Sequence, residues 1–340
     1  MSIRFYGAVF FYFMACVMAL AHSTLPAPDV AFPTTQPVTV AARLFVHDIS
    51  VIDEYKESTA FEGTLILHWH DARLATRAAQ GVIESYSGAA AALKWSQIWH
   101  PHWRLAEQQG PKHISQTHLT ISPAGEVTYQ ERFSAEVSQA MSFREFPFDT
   151  QQFEFSVQVM PQDAGRVRLT VFDRQRVIET HPRPEEWQHQ ATEVGVGEYV
   201  DALSGQPASQ YVLSFEYRRA SHYFQIQIIA PIFLLVLMAF SVFYMQHNPL
   251  VNRVGLSLTA VLTIIVFSWR IFSTLPHIAY HSFLDLFLVY SFLMSALTIL
   301  PSILYDHLVA PESKQRLNQT VRWLFPLVYL LGIGVIMWVI

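Results

Sequence analysis

From Val38 to Tyr217 apolar and polar residues alternate with a period of two. Phe153, Phe155, Val157 and Val159 alternate with Gln152, Glu154, Ser156 and Gln158. Leu65, Leu67 and Trp69 are set among Thr64, Ile66, His68 and His70, and the pattern returns at Val167-Leu169-Val171 and at Tyr211-Leu213-Phe215-Tyr217. Successive side chains of a strand point to opposite faces, so this spacing predicts half-buried strands. Ser122-Pro123-Ala124-Gly125 predicts a turn between two of them. The run from Ala89 to Trp95 reads as a short helix or loop. Many short alternating strands with turn punctuation, within about 180 residues, predict an antiparallel β-sandwich.

After Arg218-Arg219 the alternation gives way to continuous apolar runs. Four membrane spans are predicted: Tyr223 to Met245 with Pro231 inside it, Asn252 to Pro276, Phe283 to Leu304, and Val321 to Ile340. The second differs from the others. Val254 to Leu275 makes about 33 Å of helix, long enough to cross a bilayer core. Hydroxyls at Ser257, Thr259, Thr263, Ser268 and Ser273, and Arg270 near one end, are costly against hydrocarbon unless they face protein or water. Gly255, Thr259, Leu262, Val266, Trp269 and Ser273 fall on one helical stripe that runs from small and polar, through bulky and apolar, back to polar. Such a stripe suits the wall of a narrow pore with a hydrophobic constriction. The alternative is a helix in mid-bundle with its hydroxyls bonded back to the backbone.

Composition separates the two parts further. The chain has 340 residues, 51% hydrophobic and 14% charged, too apolar for an ordinary soluble protein. Between Leu25 and Tyr217 there are 24 acidic and 14 basic residues, a net of −10, whereas Arg218 to the end carries 7 basic and 3 acidic, a net of +4. This balance argues against a nucleic-acid partner. Residues 1–21 read as a secretory signal, with Arg4 before the apolar run and Ala19-Leu20-Ala21 fitting a cleavage site; an uncleaved anchor is the alternative. His22 to Pro37 is a Pro-, Ala- and Thr-rich lead-in, and the single cysteine, Cys16, precludes a disulfide framework. The predicted layout is a signal over 1–21, an exported sandwich over 22–219 and a four-helix membrane domain over 220–340. Arg253, Lys314, Arg316 and Arg322 fall on the side opposite the sandwich, in weak agreement with the positive-inside rule. The expected location is a cell membrane, bacterial inner or plasma, crossed several times, with the N-terminal domain outside the cytoplasm.

These features, with several local motifs, resemble the pentameric ligand-gated ion channels, the Cys-loop receptor superfamily. Phe146-Pro147-Phe148-Asp149 reproduces the FPFD of the signature loop. Gln139 and Phe153 stand where animal receptors have that loop's cysteines, which is similar to the prokaryotic branch. Trp99-x-Pro101, Trp69, Pro231, Leu262 and Leu275-Pro276 match the family's WxP, second-strand tryptophan, first-span proline, gate leucine and pore-helix end. The resemblance covers nearly all of 38–340. It implies a homopentamer in a lipid bilayer, opened by a small-molecule agonist or pH acting on the sandwich, with no enzymatic activity, no catalytic residue and no cofactor. One helix cannot enclose a channel, whereas a ring of five places its stripe on the axis.

The resemblance further implies a coupling site at the domain junction. Asp53-Glu54 matches the acidic turn pressed against the membrane part, and Arg219 the arginine just before the first span, so Glu54 and Arg219 are expected to pair beside Phe148, Asp149 and Pro276. For the ligand, Thr64, His102, Met160, Trp187 and Tyr211 are the candidates. This aromatic box is depleted, so an apolar or acidic ligand competes with an amine. His68-Trp69-His70 and His100-Pro101-His102 are pairs that suit a modulatory metal or proton site, but no spacing fixes a further ligand, and no metal site is assigned.

Ion selectivity rests on charge. Asn252 stands where cation channels of the family often carry glutamate, and Val251-Asn252 replaces the proline-alanine pair often found in anion channels. Arg270 is about 100° around the helix from Trp269. The acidic sandwich decides for permeant monovalent cations. An anion-selective member of the same family and a non-conducting membrane-anchored sensor are the alternatives.

Overall fold

The computed structural model describes residues 31–34, 37–75, 81–202, 204–245, 247–272, 280–307 and 311–340. The signal over 1–21 and the candidates Ser273 and Pro276 lie outside the described residues. The alternating segments become two sheets. One contains β1 (Val38–Asp53), β2 (Ser58–His70), β3 (Glu84–Ser87), β5 (Gln108–Ile121), β6 (Glu126–Ser138) and β8 (Val167–Val171), in the order β3-β5-β6-β2-β1-β8. The other orders β4 (Trp103–Leu105), β7 (Thr150–Val159), β9 (Trp187–Val200) and β10 (Pro207–Arg219) as β4-β7-β10-β9. Pairing is antiparallel except between β1 and β8, which run parallel from Val38↔Val167 to Ala42↔Val171.

The inward positions of the two sheets meet in an aromatic core. Trp69, Phe61, Phe133, Phe153, Phe155, Tyr211, Phe215 and Tyr217 are all less than 2 % exposed, and burying each such side chain contributes about 1.5–3 kcal/mol. At the β5–β6 turn the Glu126 N–H donates to Ser122 Oγ at 3.0 Å. Gly125 there has φ +84, and a Cβ on it would sit 2.6 Å from the Asp71 carbonyl, so the turn requires glycine. The alanine-rich run is helical, α1 (Ala89–Gln97).

Among the described residues four helices follow that are long and apolar enough to span a bilayer: α2 (His222–Tyr244), α3 (Leu250–Phe272), α4 (Phe283–Asp306) and α5 (Pro311–Val339). A π-turn at Gln225–Ile229 leads into Pro231 of α2, the local widening expected where proline removes a donor and crowds the preceding turn. A capping box starts α4, with Asp285 N–H donating to Ser282 Oγ at 3.1 Å and Ser282 N–H to Asp285 Oδ2 at 2.9 Å. Inside the bundle, hydroxyls pair with one another: Ser257 with Thr298 at 2.7 Å and Ser291 with Tyr329 at 2.8 Å.

Candidate functional site

Helix α3 divides into two faces. Arg253, Ser257, Ala260, Val261 and Ile264 are buried against the other helices. Gly255, Thr259, Leu262, Val266 and Trp269 are exposed, with Leu262 at 62%, Val266 at 67% and Trp269 at 78%. Thr259 Oγ1 donates to the Gly255 carbonyl at 2.9 Å and Thr263 Oγ1 to the Thr259 carbonyl at 2.7 Å. Back-bonding therefore occurs, yet the stripe is not inside the subunit's own bundle. An exposed ridge of Leu, Val and Trp on a single subunit is a surface that wants a partner.

At the domain junction, β10 ends in Arg219, which is 4 % exposed. Its Nε donates to Asp149 Oδ1 at 2.7 Å and its Nη2 to Asp149 Oδ2 at 3.0 Å, a bidentate pair. Its Nη1 donates to Glu54 Oε1. The guanidinium is also held between rings, 4.3 Å from the Trp187 centroid and 4.9 Å from that of Phe146. Burial, opposed by the arginine's charge, pushes the Glu54 carboxyl above its ordinary value of 4.5, while the Asp149 and Glu54 partners raise Arg219 despite its burial. Asp53 takes another role. Its Oδ1 accepts the Lys56 N–H at 3.0 Å, closing its own turn, and this contact lowers the carboxyl's pKa.

The loop carrying FPFD links this hub to the helices. Phe148 meets Phe283 of α4 edge-on at 5.5 Å, and Phe146 meets Phe224 of α2 at 4.9 Å. The Phe283 N–H donates to the Arg144 carbonyl at 2.8 Å, and the Phe143 N–H to the Tyr280 hydroxyl at 3.0 Å. Packed rings and a backbone bond thus join the base of the sandwich to the starts of both α2 and α4.

The ligand candidates do not converge. Tyr211 is wholly buried in the core, its hydroxyl accepting from the Leu44 N–H at 3.4 Å. Trp187, 7% exposed, packs on Arg219 and, edge-on at 5.5 Å, on Phe153. Burial removes both from a surface site, and Trp187 belongs to the hub. Thr64, 5% exposed, is bonded to His47 Nε2 at 2.7 Å in the six-stranded sheet. Met160 and His102 do come together, the Met160 N–H donating to the His102 carbonyl at 2.8 Å. Beside them sequence reasoning missed a cluster near the β9–β10 turn. Arg104 Nη2 reaches Asp201 Oδ1 at 3.3 Å and lies 5.7 Å from the Tyr199 ring, whose hydroxyl donates to the Val159 carbonyl at 2.6 Å. The only sequence signal was the short Asp201–Gln206 turn between two strands.

The histidine pairs are engaged. His68 Nε2 lies 3.1 Å from Glu126 Oε2, and His70 Nε2 lies 3.1 Å from the Ala124 carbonyl. His102 Nδ1 lies 3.0 Å from Asp163 Oδ2. His100 stacks on Trp95 at 4.2 Å, and burial, with His102 nearby, depresses it to about 4. Among the described residues no group of three or more His, Cys, Asp or Glu side chains could hold a metal ion.

Comparison with known proteins adds three findings. Residues 27–221 match the family model of the neurotransmitter-gated ion-channel ligand binding domain. The chain is 25% identical over 318 residues to a proton-gated ion channel of Gloeobacter violaceus, covering 90% of this chain and 84% of that one. It is 26% identical over 191 residues to a gamma-aminobutyric acid receptor subunit beta of Caenorhabditis elegans, covering 56% of this chain and 34% of that one.

Proposed function

The chain belongs to the pentameric neurotransmitter-gated ion-channel family, and from that premise we propose that it is a cation-selective channel opened by an extracellular signal, protons or a small ligand, acting on the sandwich. Members of this family are multi-pass membrane channels that assemble as pentamers around a pore and bind small molecules; they are not enzymes. The observation that carries the reading is the Arg219 hub. It ties the acidic turn, the FPFD loop and the last strand into one buried unit directly above α2 and α4. The exposed face of α3 supplies the wall, with Leu262 and Val266 as the dry constriction.

Two observations favour protons among the signals. A relative of similar length bears the name of a proton-gated channel. In this chain the Glu54 carboxylate, one of two partners of Arg219, has its pKa raised by burial, so it takes up a proton more readily than an exposed carboxylate, and its protonation leaves Arg219 with Asp149 alone. Selectivity follows from the exported domain at −10 per chain. Five copies carry about −50, a field that concentrates cations at the outer mouth despite screening over about 8–10 Å.

The test is a recording from purified protein in a planar bilayer with the external side stepped from neutral to acid pH. The expected result is a current whose reversal potential moves toward the cation equilibrium value under a salt gradient. A shift toward the chloride value selects the anion-selective alternative. Silence under acid and under a ligand screen selects a non-conducting sensor.

A further inference from the structure

Proline shapes the half of α4 that lies away from the sandwich. Pro301 has no N–H to offer the carbonyl four residues back, and the helix is interrupted at Thr298, whose N–H reaches the Ser295 carbonyl at 3.3 Å. Hydroxyls fill this irregular turn. Thr298 Oγ1 donates to the Ser295 carbonyl at 2.7 Å, and Ser302 Oγ donates to the Thr298 carbonyl at 3.0 Å. Ser257 of α3 approaches from the facing helix, its Oγ 2.7 Å from Thr298 Oγ1, and both residues are 0% exposed.

Each hydroxyl carries one proton. Thr298 gives its own to the Ser295 carbonyl, so across the helices Ser257 donates and Thr298 accepts. Ser257 also has a second acceptor within reach, the Arg253 carbonyl of its own helix at 3.4 Å. When α3 draws away from α4, Ser257 falls back on Arg253 and Thr298 keeps Ser295. No buried donor is orphaned, unlike the Arg219 hub, where separation strands charges. Burial alone does not create such a bond. The hydroxyl of Ser295, also 0% exposed, has no partner, and that of Ser302 bonds to its own helix.

The contact lies on the face of α3 turned away from the exposed stripe, and Leu262 follows five residues later, about 7.5 Å along the axis. Beyond Ser257 the buried face of α3 is apolar at Ala260, Val261 and Ile264. Towards the helix start the neighbouring polar tie is Arg253 to Asp306 at 3.3 Å, where the Asp306 side chain is 41% exposed and the pair correspondingly weak. We propose that Ser257 and Thr298 are positioning residues for conduction, a releasable latch that draws this half of α3 back against α4 and holds its stripe away from the axis. Release lets α3 lean inward and narrows the passage at Leu262. The inference rests on the reading of α3 as the pore wall.

Four full-length oligomers test it: the wild type, Ser257→Ala, Thr298→Val, which keeps the shape of the side chain, and the double variant. In single-channel recordings each single substitution is expected to lower the opening equilibrium about fivefold, the worth of one neutral hydrogen bond, and the double variant to lower it no further. Ser257→Thr, which keeps the hydroxyl, and Ser302→Ala are expected to open like the wild type. Unchanged opening in the single variants, as a merely structural bond would give, or additive losses in the double variant overturn the proposal. Thermal melts of the same oligomers need no current, and there the two losses are expected to overlap. Independent losses in the melts fail the contact itself, whereas a silent wild type with overlapping losses fails the pore reading, so the two failures are distinguished.

Discussion

Arg219 and Asp149 form a bidentate pair at 2.7 and 3.0 Å with their side chains only 1% and 2% exposed. The pair is also joined through the backbone, the Arg219 N–H donating to the Asp149 carbonyl at 3.0 Å. Removing one partner strands a buried charge, a cost of about 3–5 kcal/mol. Arg219→Ala is therefore expected to abolish gating or assembly, and Arg219→Lys to recover only part of it because an ammonium lacks the planar fork. Oligomer yield on size exclusion, followed by currents, checks both. Normal assembly and gating of Arg219→Ala would show that the hub is dispensable.

A role for Glu54 in the proposed response to acid can be tested directly. Its folded carboxyl pKa is raised above 4.5 by burial. A raised carboxyl pKa means that the folded state binds the proton more readily than the unfolded chain. Its contribution to stability is thus present below 4.5 and is lost as pH rises through the folded value. Burial thus makes Glu54 easier to protonate inside the fold than an exposed carboxylate. Glu54→Gln, fixed in the neutral form, is expected to shift the pH-activation curve toward neutral pH and to flatten it. An unchanged curve removes Glu54 from the sensor.

His100 works in the opposite sense. Its folded pKa of about 4 lies below its ordinary 6.5, so its contribution is complete above 6.5 and is lost as pH falls toward 4. Burial of the ring on Trp95 thus keeps His100 from titrating near neutrality. His100→Phe is expected to flatten the fall in sandwich stability between those two pH values. Thermal melts across that range measure it.

The stripe on α3 gives a further expectation. Leu262 and Val266 are 62% and 67% exposed on one subunit, and a ring of leucines makes a constriction that dewetting holds shut. Leu262→Ser is expected to wet it, raising spontaneous opening or agonist sensitivity. Unaltered activation in a well-expressed variant takes Leu262 out of the gate.

Packing between α4 and α5 supplies the last. A Cβ on Gly332 would run into the phenol end of the Tyr290 ring, which is fixed by its hydroxyl donating to the Val328 carbonyl at 2.7 Å and by stacking on Tyr329 at 5.6 Å. Gly332→Ala is expected to cost about 1–3 kcal/mol through overpacking. Tyr290→Leu in the same chain should restore most of that in thermal melts. Full stability of the single variant would mean that the ring yields freely.

How much of this was legible in the sequence depended on whether the signal was local. Strands with strict alternation, and the exposed stripe of α3, follow from periods of 2 and 3.6 that any window of the chain displays. Tyr211 could have been assigned correctly by the same rule, since it shares parity with Leu213, Phe215 and Tyr217, all buried. Trp187 could not. It faces Arg219 because β9 and β10 pair with Trp187 opposite Arg219, and register is a long-range property that alternation does not encode. The parallel β1–β8 pairing and the grouping of Arg104, Asp201 and Tyr199 were hidden for the same reason. The Glu54–Arg219 contact was anticipated only through resemblance to a family; the residues alone, 165 apart, carry no sign of it.

The hub has a bearing on the order in which the chain is made. Glu54, Phe146, Asp149 and Trp187, which surround the Arg219 guanidinium, all precede it in the sequence. Synthesis proceeds from the N-terminus at about 5–20 residues per second, so every group needed to close the base of the sandwich is available before α2 has been translated. The charged interior of the sandwich base therefore draws on no residue of the membrane helices, which meet it at Phe224 and Phe283.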